Sequence, residues 1–280
     1  MTDIARGAKL EAQPSDIRVV KLRGFGAGER STVPISIGAA FVILAAWWAV
    51  SEAELAPRLF LPSPAEVISA AVSFYRDGYA NASMWEHVSA SLLRILSAAA
   101  IAIALGVPVG LLMGMSRWAK GVFDAPIEFY WPLPPLAYLP LMIIWLGIGE
   151  ASKIVLLTMA MFAPIAISAQ AGVRSVSLER INAALSLGAN RFQLIREIVL
   201  PSALPEILTG IRIAFAVGWS TLVAAELIAA TRGIGHFVMS ASQFLATDFV
   251  FVGMIAICAF AFSLAMRLVE RWLVPWKGQI

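Results

Sequence analysis

The chain has 280 residues, 60% of them hydrophobic and only 14% charged, with a formal net charge of +3. Soluble domains carry about 25% charge, so this composition excludes an ordinary soluble protein and points to helices that cross a membrane. Neither the small net charge nor any Lys/Arg-rich run supports a nucleic-acid binder.

Residues 1–32 mix charges of both signs without an apolar core, which reads as a cytoplasmic tail and not as a cleavable signal peptide. The run VPISIGAAFVILAAWWAVS, 33–51, predicts the first span, with Trp47 and Trp48 as interface anchors near its end. LPSPAEVISAAVSFYRDG then predicts a short amphipathic helix on the outer surface, started by Pro62 and Pro64 and ended by Asp77-Gly78. Five more spans are expected at about 92–115, 125–148, 152–172, 207–230 and 250–268. The fold class is therefore all-α, with 33–280 as one six-helix membrane domain and no internal repeat.

Arg117 and Lys120 follow the second span, Arg174, Arg180, Arg191 and Arg196 the fourth, and Arg267, Arg271 and Lys277 the sixth. The alternate loops carry Glu52, Glu54, Glu66, Asp77, Glu86, Glu150 and Asp248. Cytoplasmic loops are enriched in Lys and Arg, so both termini and the 174–206 segment are expected on the cytoplasmic side.

Span two carries Gly106, Gly110 and Gly114 at four-residue spacing, a stripe that lets a neighbouring backbone approach closely in lipid, the alternative being merely a flexible helix end. Span three holds Pro132, Pro134, Pro135 and Pro140 at membrane depth. Each proline lacks a donor, and unpaired backbone is tolerated in a bilayer only beside protein or a watery cavity. The stretch from Trp131 through Pro134 to Tyr138 is read as lining or gating a pathway, the alternative being a broken helix packed wholly against its neighbours. In span five Trp219, Ser220 and Thr221 sit near the middle, and Trp219, Val223 and Glu226 share a face. Glu226 either faces the interior, because a carboxylate at mid-bilayer costs roughly 2.5–3.5 kcal/mol, or lies near the outer interface and pairs with Arg232 or a helix end. The hydroxyls of Ser220 and Thr221 can equally bond back to their own helix.

No catalytic or metal site emerges. The segment GIGEASKI, 147–154, fails the phosphate-loop pattern for want of a glycine before Lys153. His87 and His236 lack ligand-spaced partners, no nucleophile stands beside a base, and Cys258 has no other cysteine to pair with. An ion-coupled carrier would show more intramembrane charge or two related halves.

The polar stretch INAALSLGANRFQLIREIVLP divides at Gly188 and is expected to stop at Pro201. Leu178, Ile181 and Leu185 form one apolar stripe, and Phe192, Ile195 and Val199 another, with Arg191, Gln193, Arg196 and Glu197 facing elsewhere. A helical hairpin of this kind either docks on a soluble partner or caps its own bundle. The stretch resembles the signature loop of inner-membrane permease subunits of ATP-binding-cassette importers: Glu-Ala-Ala, three residues, Gly, nine residues, Ile-x-Leu-Pro. Ala183, Ala184, Gly188, Ile198, Leu200 and Pro201 fall in register, and Asn182 stands where the pattern has Glu. LFLPSPAEV, WPLPPLAYLPLMIIWLGIGEASKI, GWSTLVAAELIAATRGIG and FLATDFV extend the likeness to the taurine, alkanesulfonate and nitrate branch, over most of the chain.

The resemblance implies a type I importer permease fold in the bacterial inner membrane, without catalysis or a bound cofactor of its own. It also implies a second copy of the chain, two cytoplasmic ATPase subunits that carry ATP and Mg, and a periplasmic binding protein that delivers solute. Taurine is the solute it suggests first, with alkanesulfonates, nitrate or another small solute as alternatives. Asn182, Ala183, Ala184, Gly188, Ala189, Arg191, Phe192, Ile198, Leu200 and Pro201 would contact the ATPase. Trp131, Pro134, Tyr138, Trp219, Ser220, Thr221 and Glu226 would line the pathway.

Overall fold

The computed structural model describes residues 33–257. The expected tail 1–32, Cys258 and residues 258–268 of the sixth span lie outside the described residues. Two compact units divide after Ala46. In the first, the described residues form the start of α1 (Val33–Glu52), an apolar helix uninterrupted by charge until its last residue.

The second unit opens with the end of α1. Trp47 donates its ring N–H to the Pro62 carbonyl at 3.0 Å and stacks on Phe251, so it anchors to protein where an interface anchor was expected. Next comes α2 (Pro64–Asp77), where expected. Ser63 and Glu66 form a reciprocal capping box at its start, and Gly78 in the left-handed region (φ +72°) ends it. Its Val67, Ala70 and Phe74 are buried in an aromatic cluster with Tyr79, Phe237 and Phe249, where Phe74 and Phe237 stack at 4.1 Å.

A second capping box, Ser83 with Glu86, starts α3 (Met84–Met115) two turns before the expected span, so the helix is 32 residues long. The predicted third span is broken. α4 (Arg117–Tyr130) ends before the prolines, a 3-10 turn covers Pro135–Tyr138, and α5 (Leu139–Leu146) follows, with a bend of 93° between the two halves. The cause is local: Pro132 has no N–H, and Pro134, preceding Pro135, is held at ψ 128°, outside the helical region. Pro140 falls in the first turn of α5, where its missing donor is not needed.

α6 (Glu150–Arg174) then leads to α7 (Leu178–Ser186), α8 (Arg191–Gln193), a π-helical turn Leu194–Val199 and α9 (Leu200–Ala229). The expected stop at Pro201 does not occur. The preceding π turn loosens the hydrogen-bond ladder where the proline has no donor, and the helix runs through. Two helices complete the described chain, α10 (Ile234–Gln243), which was not predicted, and α11 (Thr247–Ile257).

Glycines set the layout of the three long helices. A side chain at Gly106 would strike Ile165, at Gly110 Ala166 and Ala169, and at Gly114 Val173, so α3 and α6 run parallel in close contact. Gly172 meets Ala203, Gly210 meets Ser168 and Gly218 meets Met161, which makes α9 antiparallel to α6. Between them lies the main core, including Ile95, Leu157, Met161, Ile165 and Leu222. Because α3 and α6 run the same way, the broken segment between them has to cross back along the bundle. Among the described residues four helices are long and apolar enough to span a bilayer, or five with the broken pair counted as one span.

Candidate functional site

The parallel–antiparallel arrangement gives the bundle two distinct ends. At one lies the hairpin of α7 and α8, and at the other the start of α3, the start of α6 and the end of α9.

At the hairpin end, α7 closes on Leu187 and the chain reverses through Gly188 in the left-handed region, φ +81°. No atom lies within 4 Å of a side chain placed there, so this glycine answers to backbone conformation alone. Asn190 and Gln193 form a capping box that restarts the helix, from a three-residue spacing visible in the sequence. The apolar stripes are only partly covered: Ala184 and Val199 are buried, while Leu178, Leu185, Leu187 and Phe192 are exposed. Asn182, Ala183, Arg191, Leu200 and Pro201 are exposed as well, and Ala189 and Ile198 are half-buried. A pocket of about 350 Å³ opens between the arms, lined by Ala184, Leu187, Gly188, Ala189, Gln193, Glu197 and Ile198.

The residues expected along a pathway do not form one cluster. Trp131 and Pro134 are exposed in the break between α4 and α5, and Tyr138 is half-buried. On α9, Ser220 is exposed and Thr221 buried, and both hydroxyls donate to the Val217 carbonyl of their own helix, at 2.9 and 2.8 Å. Trp219 is half-buried against the main core.

Glu226 lies elsewhere, inside a charge cluster at the other end of the bundle. Its side chain is fully buried, accepts hydrogen bonds from Ser91 Oγ (2.8 Å) and the Gly235 N–H (2.9 Å), and pairs with Arg94 Nη1 at 2.6 Å. Arg94 turns its Nε and Nη2 to Glu150 and also donates to the Arg232 carbonyl. Lys153 completes the group by pairing with Glu150 at 3.0 Å. Two cations and two carboxylates cancel, which is the condition for keeping charge buried. Close by, the Ile234 N–H donates to Ser91, and His87 is fully buried with Nδ1 beside Gly233 and Nε2 3.0 Å from the Tyr79 carbonyl. A side chain at Gly233 would sit 2.4 Å from the Glu226 carboxyl carbon, so the α9–α10 turn is wrapped directly around that carboxylate.

Arg232, considered as a partner of Glu226, instead pairs with Glu86 at 3.1 Å. Arg94 and Lys153 were missed as site residues. The available signal was the guanidinium of Arg94 within the apolar run of span two, since an ionisable group there needs a partner inside the protein. Among the described residues no three His, Cys, Asp or Glu side chains are grouped to hold a metal.

The family model of the binding-protein-dependent transport system inner membrane component covers residues 106–278. The taurine transport system permease protein TauC of Escherichia coli strain K12 is 53% identical over 251 residues, 89% of this chain and 91% of that protein. The putative aliphatic sulfonates transport permease protein SsuC of the same organism is 35% identical over 237 residues, 84% of this chain and 89% of its own length. Among solved structures, a chain of the inward-facing MetNI methionine ABC transporter aligns with a TM-score of 0.58 at 20% identity, covering 68% of this chain and 97% of that one, which shows the shared fold. The family model covers more than half of the chain and a 53% identical relative covers 89% of it, so the chain belongs to the family of binding-protein-dependent transport system inner membrane components.

Proposed function

We propose that the chain is the permease subunit of an ATP-driven importer and forms, with a second copy of itself, the pathway that carries taurine across the bacterial inner membrane. Taurine is the solute named for the relative that is 53% identical, and alkanesulfonates come second by the 35% identical relative. Both termini lie in the cytoplasm, so the hairpin end faces two ATPase subunits holding ATP and Mg, and the charge cluster faces a periplasmic binding protein. Selection of the solute is delegated to that binding protein, so the pathway makes only weak polar contacts through residues such as Trp131, Tyr138, Trp219 and Ser220.

The observation that carries this reading is the hairpin itself. It projects Leu178, Leu185, Leu187 and Phe192 from the bundle end and reverses on a strained-for-others glycine, as a foot held in a partner's groove must. Closure of the ATPase pair moves the foot, and the continuous helix from Arg191 to Ala229 passes that movement to the core. Asn182 offers the ATPase a hydrogen bond in place of a carboxylate.

Replacement of Gly188 by valine tests the coupling. A β-branched residue is strongly disfavoured at φ +81°, so the loop must rearrange. The expected outcome is loss of taurine uptake and of binding-protein-stimulated ATP hydrolysis in proteoliposomes, with the chain still folded; unaltered uptake and stimulation would reject the role. The solute is tested separately, by asking whether taurine raises the melting temperature of the cognate binding protein more than alkanesulfonates or nitrate do.

A further inference from the structure

We propose that Glu150 is the releasable half of an ionic latch holding the α5–α6 corner against α3, and that its release is a step in opening the pathway outward. The direction of opening rests on the reading above; the latch itself rests on geometry within this chain.

Arg94 holds two carboxylates at once, and the two are unlike. Glu226 is fully buried and receives hydrogen bonds from Ser91, Arg94 and the Gly235 N–H. Losing its cation would leave a bare charge in the protein interior, so this half stays closed. The Glu150 side chain is 58% exposed, against 4% for Arg94. On release it is solvated at once, and Arg94 keeps both Glu226 and the Arg232 carbonyl. Lys153 lies one turn along the same helix, so its pair with Glu150 moves with the corner and need not break. The ionic link broken is the two-pronged contact between α3 and α6, and the Nε and Nη2 of Arg94 must then take water in place of Glu150.

The corner is built to turn. Gly147 closes α5 in the left-handed region, φ +80°, with nothing within 4 Å of an added side chain, and Gly149 beyond the exposed Ile148 is equally open. On its other side α5 is only eight residues long and meets α4 across the 93° break. A short rod with a joint at each end thus rests on Leu139 and Met142 against Leu156 and Ala225, and its corner is tied to α3 by one exposed carboxylate. By contrast α3 and α6 are packed through Gly106, Gly110 and Gly114 further along, where no such freedom exists.

The test uses the full chain in lipid nanodiscs with Cys258→Ser and Ser152→Cys, a small change at a fully buried position two residues from Glu150. The readout is the rate of reaction with a membrane-impermeant maleimide. Glu150→Gln is expected to speed labelling about fivefold, equivalent to about 1 kcal/mol for a half-exposed pair, while the melting temperature stays near the parent's. Glu226→Gln is expected to lower the melting temperature sharply. Amide exchange across residues 147–153, which needs no reporter cysteine, should rise in Glu150→Gln as well. Unchanged labelling and exchange in Glu150→Gln, or an equal loss of melting temperature in both variants, overturns the latch. Neither readout requires an ATPase: faster labelling with no change in ATP hydrolysis by the assembled complex supports the latch and counts against the coupling reading instead.

Discussion

Glu226 and Glu66 are the same chemical group under opposite constraints. The first is surrounded by donors that replace water, and its cost of burial is offset by Arg94, Ser91 and a backbone amide. The second sits at the surface, where the Ser63 N–H, then the Ser63 hydroxyl and the Arg58 guanidinium, hold its carboxyl below the usual carboxylate range. A depressed value in the folded state means that ionised Glu66 favours folding above the ordinary carboxylate range, and that this contribution fades as pH falls through the folded value. The stability difference between the parent and Glu66→Gln should therefore be present at neutral pH and vanish in acid; thermal melts across pH 3 to 7, on the order of the carboxylate range, check it. A constant difference would mean that the capping box acts without its charge. At this scale the need of Glu226 for a partner was legible, since an acid in an apolar helix demands one, but its place was left open between the interior and the outer interface. The partner itself was not legible: Arg94 lies 132 positions away, and one sequence carries no signal of that pairing.

The elements were legible where chain-local chemistry decides them. Pro64 and Gly78 bound α2 as the sequence reading had them, while the Ser63–Glu66 box went unread, and the proline run breaks what was expected as one third span. The stop expected at Pro201 was misread because a π turn a few residues earlier relieves the proline, and nothing in LIREIV announces it. The glycine stripe of α3 was visible as a stripe, and the structure supplies its partner and ranks its members. At Gly110 an added methyl would lie 2.2 Å from the Ala166 carbonyl oxygen, which is backbone and cannot give. At Gly106 the nearest atom is a methyl of Ile165 at 3.0 Å, a side-chain contact that a shift of a few tenths of an ångström would relieve. Gly110→Ala should therefore cost about 1–3 kcal/mol and lower the melting temperature of the purified chain well beyond Gly106→Ala. Equal melting temperatures would show that α3 and α6 are less tightly joined than these distances state.

Considered whole, the molecule separates a core from an appendage. The core lies among α3, α6 and α9, whereas the hairpin buries little beyond Ala184 and Val199. Replacing residues 178–193 with a short Gly-Ser link should leave the melting temperature near the parent's and abolish copurification with the ATPase subunit. Persistent copurification would place the docking surface elsewhere. The π turn Leu194–Val199 joins the two parts, and it has a geometric consequence. A helix advances about 100° of azimuth per residue, so the extra residue accommodated in this turn fixes the compass bearing of the appendage relative to the face that α9 shows α6. One residue more or fewer there would leave both pieces intact and aim the appendage about 100° away from its present bearing.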